Sequence, residues 1–331
     1  MTIDDIAKKF NINSSTVSKA LNGSTDIAAS TRKAICEYAE SVGYRSLRSR
    51  KIKGNVAILK ERGSSLDALF DKIIEVFCTD AKEENYLVSV QEIDGSFDLN
   101  EFLTGRNFVG LFILGTNYSS AIRQTLRTTE IPTVIFGNEF CDNPRVSNVK
   151  SDDLLSAGNA IDHLVSLGHS LIAFLGTERD ALVGAERFAG YFFGLSKNAI
   201  PYRYDLTYFG DSSYRSGKDA AEYFTSYNKY FTAIVCASQN SAEGFIDYMT
   251  STGKTVPDDI SVIGFKENFS KDGRAMTGIA PDFASIGKQA FLALKATLQA
   301  FPAQHVTVPC FFEEPQATCT TKKKRFSADA D

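Results

Sequence analysis

The sequence predicts a small all-α helix-turn-helix head followed by a two-lobed α/β core with doubly wound parallel sheets. Three features carry this expectation. Residues 2–44 hold short segments of helical apolar spacing and no strand-like run. From Asn55 onward, unbroken apolar runs of strand length alternate with amphipathic segments, the pattern of parallel strands covered on both faces. That alternation is complete once by about residue 148 and then restarts, so the 331 residues accommodate two sheets besides the head.

The first helix follows Thr2, a capping-type residue, with acids Asp4 and Asp5 in its first turn and Ile3, Ile6, Ala7 and Phe10 on one face. Asn11-Ile12-Asn13 breaks it. In the second helix Val17, Ala20 and Leu21 point inward, while Ser14, Ser15, Ser18 and Lys19 point out. A third helix, roughly Ser30 to Ser41, is expected to bury Ala34, Ile35, Tyr38 and Ala39 and to stop at Gly43. Two short helices joined by a tight turn make a helix-turn-helix, and a small, hydroxylic, basic outer face suits the major groove, where serine and lysine reach phosphates and base edges. The plain alternative is a small helical bundle that binds nothing.

Thr2-Ile3-Asp4-Asp5-Ile6-Ala7, Ser15-Thr16-Val17-Ser18-Lys19-Ala20-Leu21-Asn22-Gly23, Thr31-Arg32 and Gly43-Tyr44 together resemble the amino-terminal signature of the lactose-repressor and galactose-repressor family of bacterial transcription regulators. The resemblance implies DNA-binding roles position by position. Ser14, Ser15 and Lys19 match base-reading positions, and Asn13, Thr16, Ser18, Asn22, Thr31 and Tyr44 match backbone-facing or supporting ones. Lys19 stands where arginine is common, so guanine recognition there is expected to be less rigid. Ala28 replaces the serine that usually caps the third helix.

Charge agrees with a head that meets phosphate. Residues 1–54 carry ten basic and five acidic groups, net +5, which leaves −9 for the rest of a chain whose total is −4. The linker, residues 45–54, is basic and contains Leu47, Arg48 and Ile52. Resembling proteins have a longer segment here that opens Pro-Asn and carries a short hinge helix with a leucine wedge. Leu47, ahead of Ile52, is the candidate wedge in this shortened version, and Arg48 a candidate phosphate contact. Whether the hinge helix forms is open at this level.

In the core, strands are expected at 56–59, 86–90, 108–114 and 131–136, with a helix over 66–85. A second unit follows, with a helix over 153–167 and strands at 171–175, 232–236 and 261–265. Ligands of such sheets bind beyond the carboxyl ends of the strands, here between two lobes. Leu167-Gly168-His169, Arg187-Phe188-Ala189-Gly190-Tyr191, Val256-Pro257-Asp258-Asp259-Ile260 with the strand to Phe265, and Ile286-Gly287-Lys288-Gln289-Ala290 extend the resemblance to nearly the whole chain. It implies a periplasmic-binding-protein-like core that binds a small effector and supplies a dimer interface. The lobes are expected at about 55–148 with 281–302, and 149–280 with 303–319, before a tail at 320–331.

The effector-binding candidates are Ser64 and Ser65 after the first strand, Arg187, Gln239 and Lys266. Arg187 matches the family arginine that holds ligand hydroxyls or a carboxylate; a structural ion pair is its alternative role. Lys266 replaces an acid after Gly264-Phe265, and Ser238-Gln239 replaces Asn-Asp. An ammonium only donates hydrogen bonds. These changes point to an anionic effector, a sugar phosphate or organic acid, held by Arg187 and Lys266. The alternatives are that Lys266 pairs with Glu267 or another acid, or that effector binding has decayed.

No apolar run of eighteen residues and no secretory leader is present, and the six cysteines are scattered without zinc spacing, so a cytoplasmic protein with reduced thiols is expected. The three histidines form no metal spacing, and neither a nucleophile elbow nor a phosphate-binding glycine loop occurs. No cofactor is expected. The reading is a homodimeric regulator, with a repressor more common among resembling proteins, that binds a pseudo-palindromic double-stranded operator under control of a small effector. The rival readings are a solute-binding protein, which would have no use for a basic head, and a sugar-processing enzyme, which would need a poised acid, base or metal in the cleft.

Overall fold

The structure is a computed structural model that describes residues 2–21, 24, 26–42, 52–62, 67–115, 118–139, 141–177, 182–266, 276–312 and 318–320. The chain divides into two compact units, Met1–Gly54 with Ala81–Leu87, and Asn55–Asp80 with Val88–Asp331.

The head contains α1 (Ile3–Phe10), α2 (Ser14–Leu21) and α3 (Ala29–Ser41). Thr2 caps α1 reciprocally: Asp5 N donates to Thr2 Oγ1, and Thr2 N donates 2.8 Å to Asp5 Oδ2, which satisfies two otherwise unpaired amides. Asn11, at φ 52°, ends α1 in the left-handed region that asparagine tolerates. Ile6, Val17, Ala20, Ile35 and Ala39 form the core, and Phe10 meets Tyr38 edge-on at 5.5 Å. Ala34, expected inside, is exposed, because the buried stripe of α3 runs through Ile35, Tyr38 and Ala39, one position round the helix.

The core opens with β1 (Gly54–Glu61), α4 (Asp67–Glu83), β2 (Tyr86–Ile93), α5 (Leu99–Leu103), β3 (Phe108–Leu114), α6 (Ser120–Thr128), β4 (Thr133–Phe136) and β5 (Val146–Ser151). It continues with α7 (Asp153–Ser166), β6 (Ile172–Gly176), α8 (Leu182–Lys197), β7 (Thr207–Phe209), α9 (Tyr214–Ser226), β8 (Ala233–Cys236), α10 (Gln239–Ser251) and β9 (Ser261–Phe265). β10 (Thr277–Pro281), α11 (Phe283–Leu298), β11 (His305–Val308) and β12 (Cys310–Phe312) close it. Two six-stranded sheets result, β11-β5-β4-β3-β1-β2 and β12-β10-β9-β8-β6-β7. β12 runs antiparallel to β10, whereas β3, β4 and β5 in the first sheet and β6, β8 and β9 in the second run parallel to their neighbours.

Both sheets are covered on two faces, as unbroken apolar strands require. In the first, Phe77 of α4 stacks on Phe112 at 4.9 Å while Ile122 and Leu126 of α6 cover Leu111 and Ile113 from the opposite side. In the second, α7 and α8 pack Ile161 and Tyr191 on Phe174 and Ile263, and α9 and α10 pack Phe224 and Phe245 on Leu175 and Ile234. The chain crosses between sheets after β5, after β10 and after β11. The lobe limits therefore differ from those expected: 149–151 complete β5, and β11 belongs to the first sheet, where His305 pairs with Asn148. A third connection disguises this, since the strand at 305–308 is short and largely exposed.

A C-terminal segment straps the second lobe. His169 links Thr232 Oγ1 (2.8 Å) to the Cys319 carbonyl (2.9 Å), and His163 Nε2 lies 3.1 Å from Thr318 Oγ1. Burial pushes both imidazoles below their ordinary pKa. Among the described residues, no helix is long and apolar enough to cross a membrane.

Candidate DNA interface and effector cleft

α2 is anchored by Val17 and Ala20, so Ser15 and Lys19 on its other side face solvent. Asn13 starts it, its carbonyl accepting from Thr16 N at 2.8 Å and Val17 N at 3.1 Å. Ser14 donates its hydroxyl proton to Asp4 of α1, so one expected base-reading group also ties the two helices together. Lys19 Nζ lies 3.6 Å from Asp26 in an exposed pair, an interaction worth about 0.5 kcal/mol in water and readily exchanged for DNA. Arg32 Nη1 donates to Ser24 O (3.2 Å) and Ser24 N to Lys19 O (3.0 Å), which fixes the passage from α2 to α3 beside exposed Thr31. Asn22, Tyr44, Leu47 and Arg48 lie outside the described residues.

In the second lobe, Arg187 of α8 is buried at the carboxyl end of the sheet. Its Nε donates 2.7 Å to Asp153 Oδ1, its Nη1 donates 2.5 Å to the Ala237 carbonyl, and its plane lies 4.1 Å from the centre of the Phe265 ring. Ser151 Oγ holds the other Asp153 oxygen at 2.6 Å. The structural ion pair that the sequence allowed is thus formed. Gln239 begins α10 behind the Ser238 cap and donates 2.9 Å to Glu243. Lys266 continues the β9 ladder, its N donating 2.8 Å to Ile279 O, and its stem lies where a Cβ on Gly278 would stand.

In the first lobe a cavity of about 230 Å³ opens at the carboxyl ends of β1, β2 and β3, between Glu61, Asp94, Gly115, Tyr118 and Ser119. This is the point at which successive connections leave for opposite faces of the sheet. Tyr118 donates its hydroxyl to Phe136 O at 2.7 Å, and burial followed by the nearby Glu61 charge raises its pKa. Ser96 holds the Asp94 carboxyl below the ordinary range through its hydroxyl and its amide. Lys150 of β5 pairs with Glu186 of α8, which joins the first sheet to the second lobe. Ser64 and Ser65 fall outside the described residues.

A model of bacterial regulatory proteins of the lacI family matches residues 2–46, and a periplasmic binding protein-like domain matches 161–313. The chain belongs to the LacI family. Catabolite control protein A of Priestia megaterium is 28% identical over 86% of this chain and 87% of its own length. The probable transcriptional repressor ExuR of Bacillus subtilis is 29% identical over 81% and 82%. The solved transcriptional regulator CelR–cellobiose complex superposes with a TM-score of 0.70 at 21% identity, covering 96% of this chain and 99% of that one, a likeness of fold. This LacI-family chain is accordingly a DNA-binding transcriptional regulator with an effector-binding core, among relatives that are repressors and not enzymes.

In this LacI-family core the structure does not bring Arg187 and Lys266 to one face. Side chains alternate along a strand. Phe265, under Arg187, packs with Tyr191 on the α7–α8 side, whereas the Lys266 stem lies over Gly278, on the side where a Cβ at Gly264 would meet Ala242 of α10. Sequence reasoning missed Asp153, Lys150 and Glu186 as members of these ion pairs. The Asp152-Asp153 pair at a helix start was visible, but its partner 34 residues away was not.

Proposed function

We propose that this regulator works as a homodimer that places two α2 helices in the major groove of a pseudo-palindromic operator, with affinity set by a small uncharged polyol held between its lobes. The observation that carries the DNA half is the solvent-facing side of α2, with Ser15 and Lys19 on a head of charge opposite to the body. Purified full-length protein, mixed with genomic fragments at two salt concentrations, is expected to retain a shared short two-fold-symmetric site whose recovery drops steeply as salt rises. Uniform retention without a shared site would sink this reading.

For the effector, three observations favour hydroxyls over negative charge. The Arg187 guanidinium is already compensated by Asp153; acids Glu61 and Asp94 line the first-lobe cavity; and a protein of similar fold is a cellobiose complex. An anionic effector remains the second reading, supported by Lys266 in place of the family acid. Thermal melting with neutral sugars beside sugar phosphates and organic acids separates the two, since only the bound class raises the melting temperature.

A further inference from the structure

We infer that Asn138 and Glu186 are specificity-determining groups of the effector cleft, together reading one hydroxyl of an uncharged polyol. This rests on the reading that the cleft holds the effector. Glu186 spends one carboxylate oxygen, Oε1, on Lys150 of the other lobe, in a pair whose side chains are 24% and 26% exposed. Its second oxygen, Oε2, is buried and has no hydrogen-bond partner. Asn138 Nδ2 is a buried donor in the same condition.

The two atoms belong to neighbouring structure. Gly137 N donates 3.0 Å to Val149 O, and Asn148 Nδ2 donates to the carbonyls of Gly137 and Glu139. The turn that carries Asn138 is thereby pinned beside β5, at the point where Lys150 reaches across to Glu186. An orphaned donor thus comes from the first lobe and an orphaned acceptor from the second, on the same Glu186 that makes the Lys150 bridge.

A buried polar group left unpaired is costly, more so when charged, and a buried donor and a buried acceptor left unpaired next to a bridge between the lobes point to a ligand. The pairing also selects the ligand's chemistry. A hydroxyl accepts from Asn138 and donates to Glu186 with a single oxygen. A phosphate or carboxylate oxygen offers only lone pairs and would face those of Glu186; an ammonium cannot accept from Asn138. Arg187, one residue along α8, has Asp153, Ala237 O and the Phe265 ring about it, so reading from this helix falls to Glu186.

Calorimetric titration of the full-length protein with ribose, glucose and cellobiose, and with glucose 6-phosphate and galacturonate as anionic counterparts, tests the assignment. At least one neutral sugar is expected to bind, and the anions, which carry hydroxyls of their own, no more tightly than their neutral counterparts. Glu186→Gln is expected to weaken that sugar at least about tenfold and Asn138→Ala about threefold, the scale of a charged and a neutral hydrogen bond. Glu186→Asp, which keeps the charge and withdraws the oxygens by one methylene, is expected to lose affinity too, and melting of each unliganded variant separates this from unfolding. Binding of anions alone, binding of none of the neutral sugars, or unchanged affinity in Glu186→Gln and Asn138→Ala would overturn the assignment, the last because water alone would then satisfy both atoms. Failure to capture an operator while sugar binding survives would defeat the DNA reading and leave this one standing.

Discussion

At the scale of single residues, the most constrained charge is Arg187. Burial removes it from water, and Asp153, Ala237 O and Phe265 replace the lost hydration. Asp153→Leu should therefore leave an uncompensated buried cation and cost about 3–5 kcal/mol in urea unfolding, while adding Arg187→Met should recover most of that loss. Lys19 is the opposite case, exposed and loosely paired. Lys19→Ala is expected to relax operator specificity, reducing discrimination at one position by about 1 kcal/mol in competition binding, whereas Arg48→Ala should weaken all sequences alike. Burial favours the neutral form of His163 and His169 where they hold the C-terminal strap. Because folding lowers their pKa, the unfolded chain binds more protons, so their stabilisation is complete above the unfolded value near 6.5 and declines as pH falls below it. Melting between pH 7.5 and 5 should show a smaller acid-side loss in His169→Gln than in the parent.

At the scale of elements, the contact between α7 and α8 depends on glycine. A Cβ at Gly190 would run into the Leu154 carbonyl, a backbone atom that cannot swing aside. Gly190→Ala should push the helices apart and cost roughly 1–3 kcal/mol or more, measured as a lower melting temperature. The helices α1 to α4 and α7 and the apolar strands β1 to β4, β6, β8 and β9 were legible from periodicity. β5 was not, since Val146-Ser147-Asn148-Val149-Lys150-Ser151 reads as polar, yet it is almost wholly buried. Its polar groups are met from afar: Ser147 Oγ lies 3.2 Å from Thr297 Oγ1, and Asn148 bonds the turn after β4. Such partners lie 9 to 150 residues away, beyond any local pattern.

At the scale of the whole molecule, charge asymmetry governs behaviour toward DNA. With a head of +5 and a body of −9, operator affinity should fall linearly in log–log form with salt, and Lys19→Ala should shallow that slope by at most about one counterion. The amino-acid sequence by itself determined the head, the alternating core, the restart into a second lobe and the family, because each is written in short-range periodicity, capping residues and ordered motifs. It also marked Arg187 and Lys266 as candidate effector-binding cations. Only the tertiary structure decided that Arg187 is answered by Asp153, that Lys266 lies over the other face of its sheet, that β11 returns to the first lobe, and that Lys150 and Glu186 bridge the two lobes. These are pairings of groups far apart in the chain, and what a polar side chain does in a folded protein depends on which distant partner the burial of its strands and helices brings within a hydrogen bond's reach.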